Sequence, residues 1–172
     1  MAIKVNIDDI LDLNQIDYNV NNIDSLNLKM TRKDELNLAL ESMYFGFRAM
    51  TYRPDQRLAQ LGLARVHHRL LYFIARHPHC SINELLQTMR ISKQYLHRPL
   101  RQLIEKGYIV QQTDSTDRRI RRLDLSVSGK KLEFELTEAQ RKRFDKVFRK
   151  AGPVKEKHWR EVMALLGEQI EF

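Results

Sequence analysis

The sequence has very little cysteine and no long apolar run, and each absence excludes a class of protein. Cys80 is the single cysteine among 172 residues, so neither an intramolecular disulfide nor a thiolate metal cluster can form within one chain. No segment approaches the roughly 18 consecutive apolar residues that a membrane-spanning helix needs. The first ten residues lack the basic segment and apolar core of a secretory signal, so we expect a cytoplasmic location.

Sequence motifs of the common enzyme chemistries are missing too. The chain contains no glycine-rich phosphate loop, no Gly-x-Ser-x-Gly motif and no carboxylate pair in a recognisable setting. We therefore expect a protein that is not an enzyme and that uses no cofactor.

Charge is present but unevenly distributed. The net charge is +8, yet residues 1–30 hold two Lys and five Asp, a balance of −3, which leaves +11 for residues 31–172. Such an asymmetry indicates a polyanionic partner for the body of the chain. Composition alone does not separate nucleic acid from an anionic membrane surface, so the placement of the charges has to decide.

Helical periodicity and capping residues predict the first elements after an Asn- and Asp-rich extension at residues 1–30. Thr31 caps a first helix of about twenty residues that ends before Pro54, and residues 54–62 form a short helical turn. A second apolar helix ends at Pro78. Ser81 and Glu84 form a capping box that opens the short helix INELLQTM.

The second half of the chain combines a helix, a hairpin and two further helices. Ser92 and Gly107 frame a helix that contains Pro99, where we expect a kink rather than a break. YIVQQT and IRRLDLSV flank the polar segment DSTDRR and predict a β-hairpin. Ser128 reopens a helix that runs to Ala151, and a last helix follows Gly152 and Pro153 as far as Ile170.

This order of elements predicts a mainly α fold with a small β-hairpin wing, that is, a winged helix-turn-helix. The flanking helices are too apolar to stand alone in water, and we expect them to pair with those of a second subunit. The predicted parts are an acidic extension (1–30), an N-terminal dimerisation helix and connector (31–61), a winged helix-turn-helix DNA-binding domain (62–127) and C-terminal dimerisation helices (128–172).

One face of the helix after Ser92 carries residue types that suit the major groove of DNA. Arg donates to guanine in a bidentate manner, Gln pairs with adenine edges, and Ser and Lys hold phosphates. The alternative is a merely solvated basic face, which the positive balance of +5 over residues 93–122 makes less attractive. The expected DNA-contacting residues here are Ser92, Lys93, Gln94, His97, Arg98 and Arg101.

The tip of the predicted hairpin places Asp117 among four arginines. Its expected task is to hold one arginine extended, so that the guanidinium enters a narrow minor groove. A second interpretation, in which Asp117 is only a turn former, fits equally well. Asp117, Arg118 and Arg119 complete the predicted DNA-contacting set.

The segment DSTDRRIRRLDLSVSG resembles the wing signature of the MarR family of bacterial transcriptional regulators. Matching positions include Asp114, Asp117, Arg118, Arg119, Leu123, Leu125 and Gly129, whereas Ser115, Thr116 and Ser126 depart from the usual residues. The upstream segment INELLQTMRISKQYLHRPLRQLIEKGYIV is also similar to the family's helix-turn-helix. The resemblance covers residues 34–170, so the extension lies outside the family core.

This resemblance implies a homodimer that assembles through its terminal helices and binds a pseudo-palindromic operator, with repression the expected mode. Arg119 would be the minor-groove arginine and Asp117 its positioning partner. Family members often bind a small, frequently aromatic, anion between the dimer helices and the DNA-binding lobe. Candidate effector residues in this chain are Tyr44, Arg48, His67, His68 and Tyr72, although core packing is the more common role for such residues.

Other functions have less support in the sequence. The histidines at 67, 68, 77 and 79 with Cys80 invite a metal interpretation, but their spacing is poor and we expect no metal site. Cys80 is expected to be inert as a thiol. The serious alternative function is a winged-helix adaptor that binds proteins and binds nucleic acid only weakly. The acidic extension would favour it by binding such a partner, or would compete with DNA for the basic helix.

Overall fold

Six helices and three short strands make up the part of the chain that the computed structural model describes, residues 30–168. The elements are α1 (Arg32–Gln60), α2 (Arg65–Arg76), β1 (Cys80–Ser81), α3 (Ile82–Met89), α4 (Lys93–Glu105), β2 (Ile109–Thr113), β3 (Arg121–Leu125), α5 (Val127–Ala151) and α6 (Pro153–Glu168). The predicted mainly helical fold with a small hairpin is confirmed. The predicted extension, apart from Met30, and the helix end at Ile170 lie outside the described residues.

The chain divides into two units, one ending at Met43 and the other beginning at Tyr44. In the first unit, Thr31 caps the start of α1 as predicted. Its backbone N–H and hydroxyl donate to Asp34 Oδ2 at 3.0 and 2.6 Å, and the hydroxyl contact lowers the pKa of Asp34. The apolar residues that follow, among them Leu36, Leu40 and Met43, are exposed.

In the second unit, α1 continues through Pro54, so the prediction that the first helix ends before this proline was wrong. An interior proline costs roughly 3 kcal/mol through a lost hydrogen bond and a clash. Here Pro54 is itself buried, and Leu58, one turn later, is fully buried. Burial of such side chains stabilises by about 1.5–3 kcal/mol each and offsets the cost. The predicted short turn is therefore the last part of the same helix.

The helix starts around the hairpin are fixed by serine caps. Ser81 accepts from the Glu84 N–H (3.2 Å) and Glu84 accepts from the Ser81 N–H (2.6 Å), which confirms the capping box. The predicted start of α5 at Ser128 was wrong: Ser126 is the cap, and its Oγ accepts from the Gly129 N–H at 3.0 Å. The hydroxyls of Ser126 and Ser128 both donate to the Gly107 carbonyl, because the turn before β2 brings this oxygen close to both serines.

Gly129 marks a close approach between α5 and the turn that precedes β2. A Cβ built at this position would collide with the backbone carbonyl of Tyr108, so only glycine fits. Ser126 N–H also donates to the same carbonyl at 3.0 Å. The end of α4, the start of β2 and the start of α5 are thereby held together.

The hairpin gains a third strand that the sequence did not predict. The sheet is antiparallel with the order β1-β3-β2, and Leu123 pairs with both Gln111 and Cys80. A strand of two residues has no periodicity of its own, so no sequence pattern announces it. Through it, the hairpin is joined to the start of α3.

The core of the second unit is almost entirely leucine and isoleucine. Leu70, Leu71, Leu103 and Leu123 are fully buried, and Ile74, Leu85, Leu96 and Leu136 are nearly so. Helices α2 to α5 and the sheet all contribute to this cluster, whereas α6 contributes no buried residue. The core therefore lies beneath the helix-turn-helix and the hairpin.

Candidate nucleic-acid interface

The turn between α3 and α4 is set by backbone conformation and by one cap. Arg90 ends α3 in the left-handed region at φ 51°, and its N–H bonds to carbonyls of the last turn of α3. Ser92 then opens α4 and accepts from the Tyr95 N–H, as predicted. Leu85 anchors α3, and Leu96 and Leu103 anchor α4 in the core. The opposite face of α4 is consequently directed away from the core.

All six residues predicted on α4 and its cap are exposed. Arg101 pairs with Glu105 at 2.7 Å, one turn later on the same helix. Among the ion pairs of residues 30–168, none involves Lys93 or Arg98. The structure thus brings the following side chains to one exposed face: Ser92, Lys93, Gln94, His97, Arg98 and Arg101.

Tyr95 also belongs to the exposed part of α4, and sequence reasoning missed it. Its side chain is 52% exposed, although the neighbouring Leu96 is buried. A signal was available, because Tyr95 does not fall on the stripe formed by Leu96, Leu100 and Leu103. An exposed tyrosine beside Gln94 adds an apolar ring with a hydroxyl to the polar face.

Pro99 lies inside α4, which runs without a break from Lys93 to Glu105. The prediction that the helix is not broken is confirmed. With no N–H on Pro99, the carbonyl of Tyr95 has no intrahelical donor at the usual position. The predicted kink at 95–99 stays a prediction.

The hairpin tip is organised by Asp114. Its Oδ1 accepts from the Thr116 hydroxyl (2.6 Å), the Thr116 N–H (2.8 Å) and the Asp117 N–H (3.0 Å). Its Oδ2 accepts from Arg122 Nε at 2.6 Å. The Thr116 hydroxyl and then the Arg122 guanidinium hold the pKa of this carboxyl far below its usual range. Asp114 therefore stays ionised and holds the loop closed.

Asp117 acts on the backbone of the tip. Its Oδ1 accepts from the Arg119 N–H at 2.8 Å, as in a turn former. Within residues 30–168, no ion pair includes Asp117, Arg118 or Arg119, so Asp117 makes no ion pair with an arginine side chain among these residues. Arg118 and Arg119 are exposed at the tip. Their role against DNA stays a prediction.

Arg122, absent from the predicted set, connects the hairpin to α3. Its guanidinium donates to Asp114 Oδ2 and, through Nη1, to Glu84 Oε2 at 3.0 Å and to the His79 carbonyl at 3.3 Å. These contacts, Asp114 first, raise the pKa of Arg122, and the Ser81 N–H is the main cause that lowers the pKa of Glu84. In the sequence Arg122 looks like one more basic residue, so no signal set it apart.

The predicted effector residues do not form one site. Only His68 and Tyr72 line a cavity of about 200 Å³, whose other walls come from α1, α2 and α5 and include Phe47, Met50, Thr51, Pro54, Asp55, Arg65, Arg69 and Gln140. Arg48 Nη1 donates to the Tyr44 hydroxyl at 3.3 Å on the exposed surface of α1. His67 is bonded elsewhere, to Ala64 and Gln102.

The cations of this cavity differ in how they are paired. Arg65 donates to Asp55 through Nε and Nη2, at distances from 2.6 to 2.9 Å, and this contact raises the pKa of Arg65. Arg69 takes part in none of the ion pairs found among residues 30–168. Arg69 is therefore the one arginine of this cavity whose charge is not already matched by a carboxylate of the described chain.

Behind the cavity, a buried polar chain crosses from α2 to α5. His68 Nε2 lies 3.2 Å from Thr137 Oγ1, which donates to Glu133 Oε1 at 2.8 Å, and Arg76 donates to the same oxygen at 2.9 Å. Arg76 also lies 3.3 Å above the ring of Tyr72. Burial lowers the pKa of His68, so this imidazole is neutral near pH 7.

The geometry of the described residues gives little support to a metal site, a reactive thiol or a membrane-spanning helix. Within the described residues, no three His, Cys, Asp or Glu side chains group closely enough to hold a metal ion. Cys80 is buried, and burial raises the pKa of its thiol, which disfavours the reactive thiolate. No helix between residues 30 and 168 combines the length and the apolar character needed to cross a membrane.

Comparison with known proteins gives relatives for this arrangement. A sequence profile of the MarR family matches residues 61–120, which span α2 to the hairpin tip. The HTH-type transcriptional regulator PetP of Rhodobacter capsulatus is 38% identical over 130 residues, which are 76% of this chain and 78% of that protein.

Solved structures confirm the fold. The crystal structure of MarR has a TM-score of 0.58 and 24% identity, and the comparison covers 78% of this chain and 96% of that one. Streptococcus pneumoniae FabT in complex with DNA has a TM-score of 0.68 and 15% identity, and covers 79% of this chain and 95% of that one. With the similarity to PetP, the winged helix-turn-helix fold and the predicted family are both confirmed. The chain belongs to the MarR family of DNA-binding transcriptional regulators, which are not enzymes.

Proposed function

We propose that this regulator binds a pseudo-palindromic operator as a homodimer, with α4 in the major groove and the hairpin tip in the minor groove. The observation that carries the proposal is the exposed polar face of α4 next to a tip that presents Arg118 and Arg119 without ion-pair partners in the described chain. A protein of the same fold, Streptococcus pneumoniae FabT, has been solved in complex with DNA, which supports DNA binding by this chain.

The proposed base-reading residues are the side chains on the exposed face of α4. Gln94, Arg98 and Arg101 are long enough and of the right type to reach base edges, and Ser92 and Lys93 suit phosphates. His97 lies on the same face. Arg119 is the proposed minor-groove residue, with Asp117 fixing the backbone from which its side chain extends.

The proposal of a homodimer rests on apolar residues that are exposed in the described chain. In α6, Val162, Leu165 and Leu166 are 61%, 63% and 48% exposed. Phe144, Phe148 and Trp159 line an open groove of about 620 Å³ between α5 and α6. Contiguous apolar surface of this kind marks an interaction site in soluble proteins. Residues 31–61 and 128–172 are accordingly the proposed dimerisation segments around the DNA-binding domain at 62–127.

A small aromatic anion is the proposed effector, and the cavity lined by His68 and Tyr72 is its proposed site. Phe47, Met50 and Tyr72 supply an apolar wall, while Arg69 supplies the unmatched positive charge. Of the predicted effector residues, Tyr44, Arg48 and His67 do not line this cavity and are left out of the proposal. Repression and a cytoplasmic location stay predictions.

Binding to the DNA upstream of the regulator's own gene tests the operator function. We expect a fluorescent duplex from this region to bind at least 100-fold more tightly than a scrambled duplex, since specific sites exceed non-specific DNA by large factors. Arg119→Ala should weaken specific binding about 10-fold or more. Arg53→Ala, which removes an exposed arginine of α1 that makes no ion pair among residues 30–168, is the matched control and should change specific binding by an intact dimer less than about twofold.

Two results would contradict this function. Equal binding of the two duplexes by the wild-type protein would favour the adaptor, whose nucleic-acid binding is weak and sequence-blind. Unchanged binding by Arg119→Ala in an intact dimer would remove the minor-groove role of the hairpin tip.

Benzoate, as the simplest aromatic carboxylate, tests the effector site. We expect it to release the protein from the upstream duplex, and Arg69→Gln to raise the concentration that is needed. Arg48→Gln, outside the cavity, is the control. Equal sensitivity of both variants and the wild type would place the anion elsewhere.

A further inference from the structure

Gln102, in the second half of α4, connects this helix to the corner between α1 and α2. Its amide oxygen lies 2.8 Å from His67 Nε2, and its amide nitrogen donates to the Gly62 carbonyl at 3.0 Å. Gly62 lies in the corner at φ 65° and His67 in the first turn of α2. One side chain of α4 is thereby bonded to two different segments.

The hydrogen bonds of His67 fix its tautomer. Its Nδ1 accepts from the Ala64 N–H at 2.9 Å and lies 3.2 Å from the Ala64 carbonyl, and the shorter of the two contacts places the ring proton on Nε2. Nε2–H then donates to the Gln102 amide oxygen, and the Gln102 amide nitrogen donates onward to Gly62. We call the three residues Gly62, His67 and Gln102 the clasp.

His67 also makes one of the two hydrogen bonds of a capping box at the start of α2. Ala64 occupies the cap position of α2 and has no side-chain oxygen, so His67 reaches back to its N–H in the way that Glu does in a capping box. His67 is 5% exposed, and leaving a buried polar group without its partner destabilises the folded state. The ring is therefore held in one position by the end of α2 and by Gln102 together.

The hydrogen bonds of the clasp are directional, whereas the apolar contacts that attach α4 to the core are not. Leu96, Leu100 and Leu103 attach α4 to the core, but apolar packing is non-directional and tolerates small rotations of a helix. Hydrogen bonds require defined angles at both ends. At a side-chain radius of about 5–6 Å, a rotation of 10° moves the opposite face of a helix by about 1 Å, enough to misplace a hydrogen bond to a base.

We propose that Gln102 and His67 are positioning residues, which hold α4 at the rotation and tilt that its exposed face needs in order to read an operator. Neither side chain touches the DNA. They act through the orientation of Gln94, Arg98 and Arg101. This inference rests on the proposed operator binding through α4, and it adds residues from outside the groove-facing set.

A first experiment examines the clasp without DNA. Long-range ¹H–¹⁵N correlation spectra of the full chain report which ring nitrogen of each histidine carries the proton. We expect the Nε2–H tautomer for His67 in the wild type and tautomer averaging in Gln102→Met, with His68 unchanged. A wild-type His67 that carries its proton on Nδ1 would overturn the proposal, because the clasp would then be absent in solution.

A second experiment measures specificity. Gln102→Met keeps the length of the side chain and leaves it uncharged, but removes the hydrogen bonds to His67 and Gly62. We expect its affinity for the upstream duplex to fall about 10-fold, while its affinity for the scrambled duplex changes less than about twofold. Gln56→Met is the matched control, since Gln56 is an exposed glutamine on α1 that donates to the Tyr52 hydroxyl, and it should leave both affinities unchanged.

The outcomes separate the two proposals. If the wild type prefers the upstream duplex and Gln102→Met retains the full preference, the positioning role is overturned and operator binding stands. If the wild type binds both duplexes equally, operator binding fails and the positioning role falls with it, whatever the tautomer of His67. If Gln102→Met does not fold, His67→Gln serves as the second variant. The midpoint of thermal unfolding of the variant used must lie well above the temperature of the binding assay, so that the protein is folded when its affinity is measured.

Discussion

The lobe made of α2 to α4 and the sheet differs from helix α6 in how far its apolar side chains are buried. In the lobe, Leu70, Leu71, Leu103 and Leu123 are fully buried, and serine caps begin α3 and α4. In α6 no residue is buried, and Val162 and Leu165 are more than 60% exposed. The lobe is complete within one chain, whereas α6 keeps an apolar surface for something else. Similar leucines in the two regions should therefore fail differently when they are substituted.

The largest expected effect is on the folding of the lobe. Leu103→Ala removes a fully buried side chain, and we expect a loss of about 2–5 kcal/mol in the free energy of unfolding, from lost burial and the cavity left behind. Urea denaturation at a fixed protomer concentration measures it. Leu103→Met, which nearly conserves volume, is the control and should cost under about 1.5 kcal/mol. Similar losses for both variants would contradict the close packing of the lobe.

The next effect concerns self-association. Leu165→Ser combined with Leu166→Ser exposes no core residue, so we expect the protomer to retain its helical content. We expect the dimer of this double variant to dissociate at a protein concentration at least about 10-fold higher than that at which the wild-type dimer dissociates. Sedimentation at several concentrations measures this dissociation. If the double variant dimerises like the wild type, α6 has no part in the interface.

A smaller effect is expected from Arg122, which belongs to the lobe and not to the groove-facing set. Arg122→Ala removes the contact to Asp114 within the hairpin and the contact to Glu84 that joins the hairpin to α3, so the tip should lose its fixed position. We expect a three- to tenfold loss of affinity for the upstream duplex with the dimer intact. Arg122→Lys keeps the charge but cannot make the same contacts, and full rescue by Lys would mean that charge alone matters.

The smallest effect is a pH dependence of stability. Burial lowers the pKa of His68 in the folded protein below the unfolded value of about 6.5, against the opposing attraction of Glu133 and Asp55 and with a smaller contribution from Arg76. The stabilisation by neutral His68 is therefore present above pH 6.5 and is lost as the pH falls below it. We expect the free energy of unfolding to fall as the pH is lowered from 7 to 5.5.

His68→Gln should make this pH dependence shallower, and thermal unfolding at a series of pH values measures the difference. His158→Gln, at an exposed position of α6, is the control and should leave the profile unchanged. Identical profiles for all three proteins would show that His68 does not titrate on unfolding.

Local signals in the sequence predicted the caps and the helices near them. Ser81 with Glu84, and Ser92 with Gly107, lie where the structure has helix ends, because capping depends on residues within one turn. The prediction that the first helix ends before Pro54 was wrong for the opposite reason. The free-energy cost of a proline inside a helix is offset by the burial of Leu58, and burial in the core cannot be read from a short stretch of sequence. The short strand β1 was missed on the same ground, since it exists only through its pairing with β3.

The candidate site shows the same limit. Residue types placed the polar side of α4 correctly on the surface, because a buried stripe determines the opposite face. Residue types could not tell Arg122 from its neighbours, nor assign the side-chain contact to Asp114 rather than Asp117, since both depend on how the hairpin folds back onto α3. His67 and His68 are adjacent in sequence, yet one bonds to α4 and the other to α5.

The pairing of arginines with carboxylates also sets a limit on the counterions that DNA binding can release. Eight Lys or Arg lie between residues 93 and 122, but Arg101 and Arg122 already face Glu105, Asp114 and Glu84. Six make no ion pair among residues 30–168 of a protomer: Lys93, Arg98, Lys106, Arg118, Arg119 and Arg121. At about 0.9 ions per neutralised phosphate, a dimer that uses all of them would show a slope of about −11 in log affinity against log salt. A count of formal charge overstates that slope, because a cation matched within the protein has no counterion to give back.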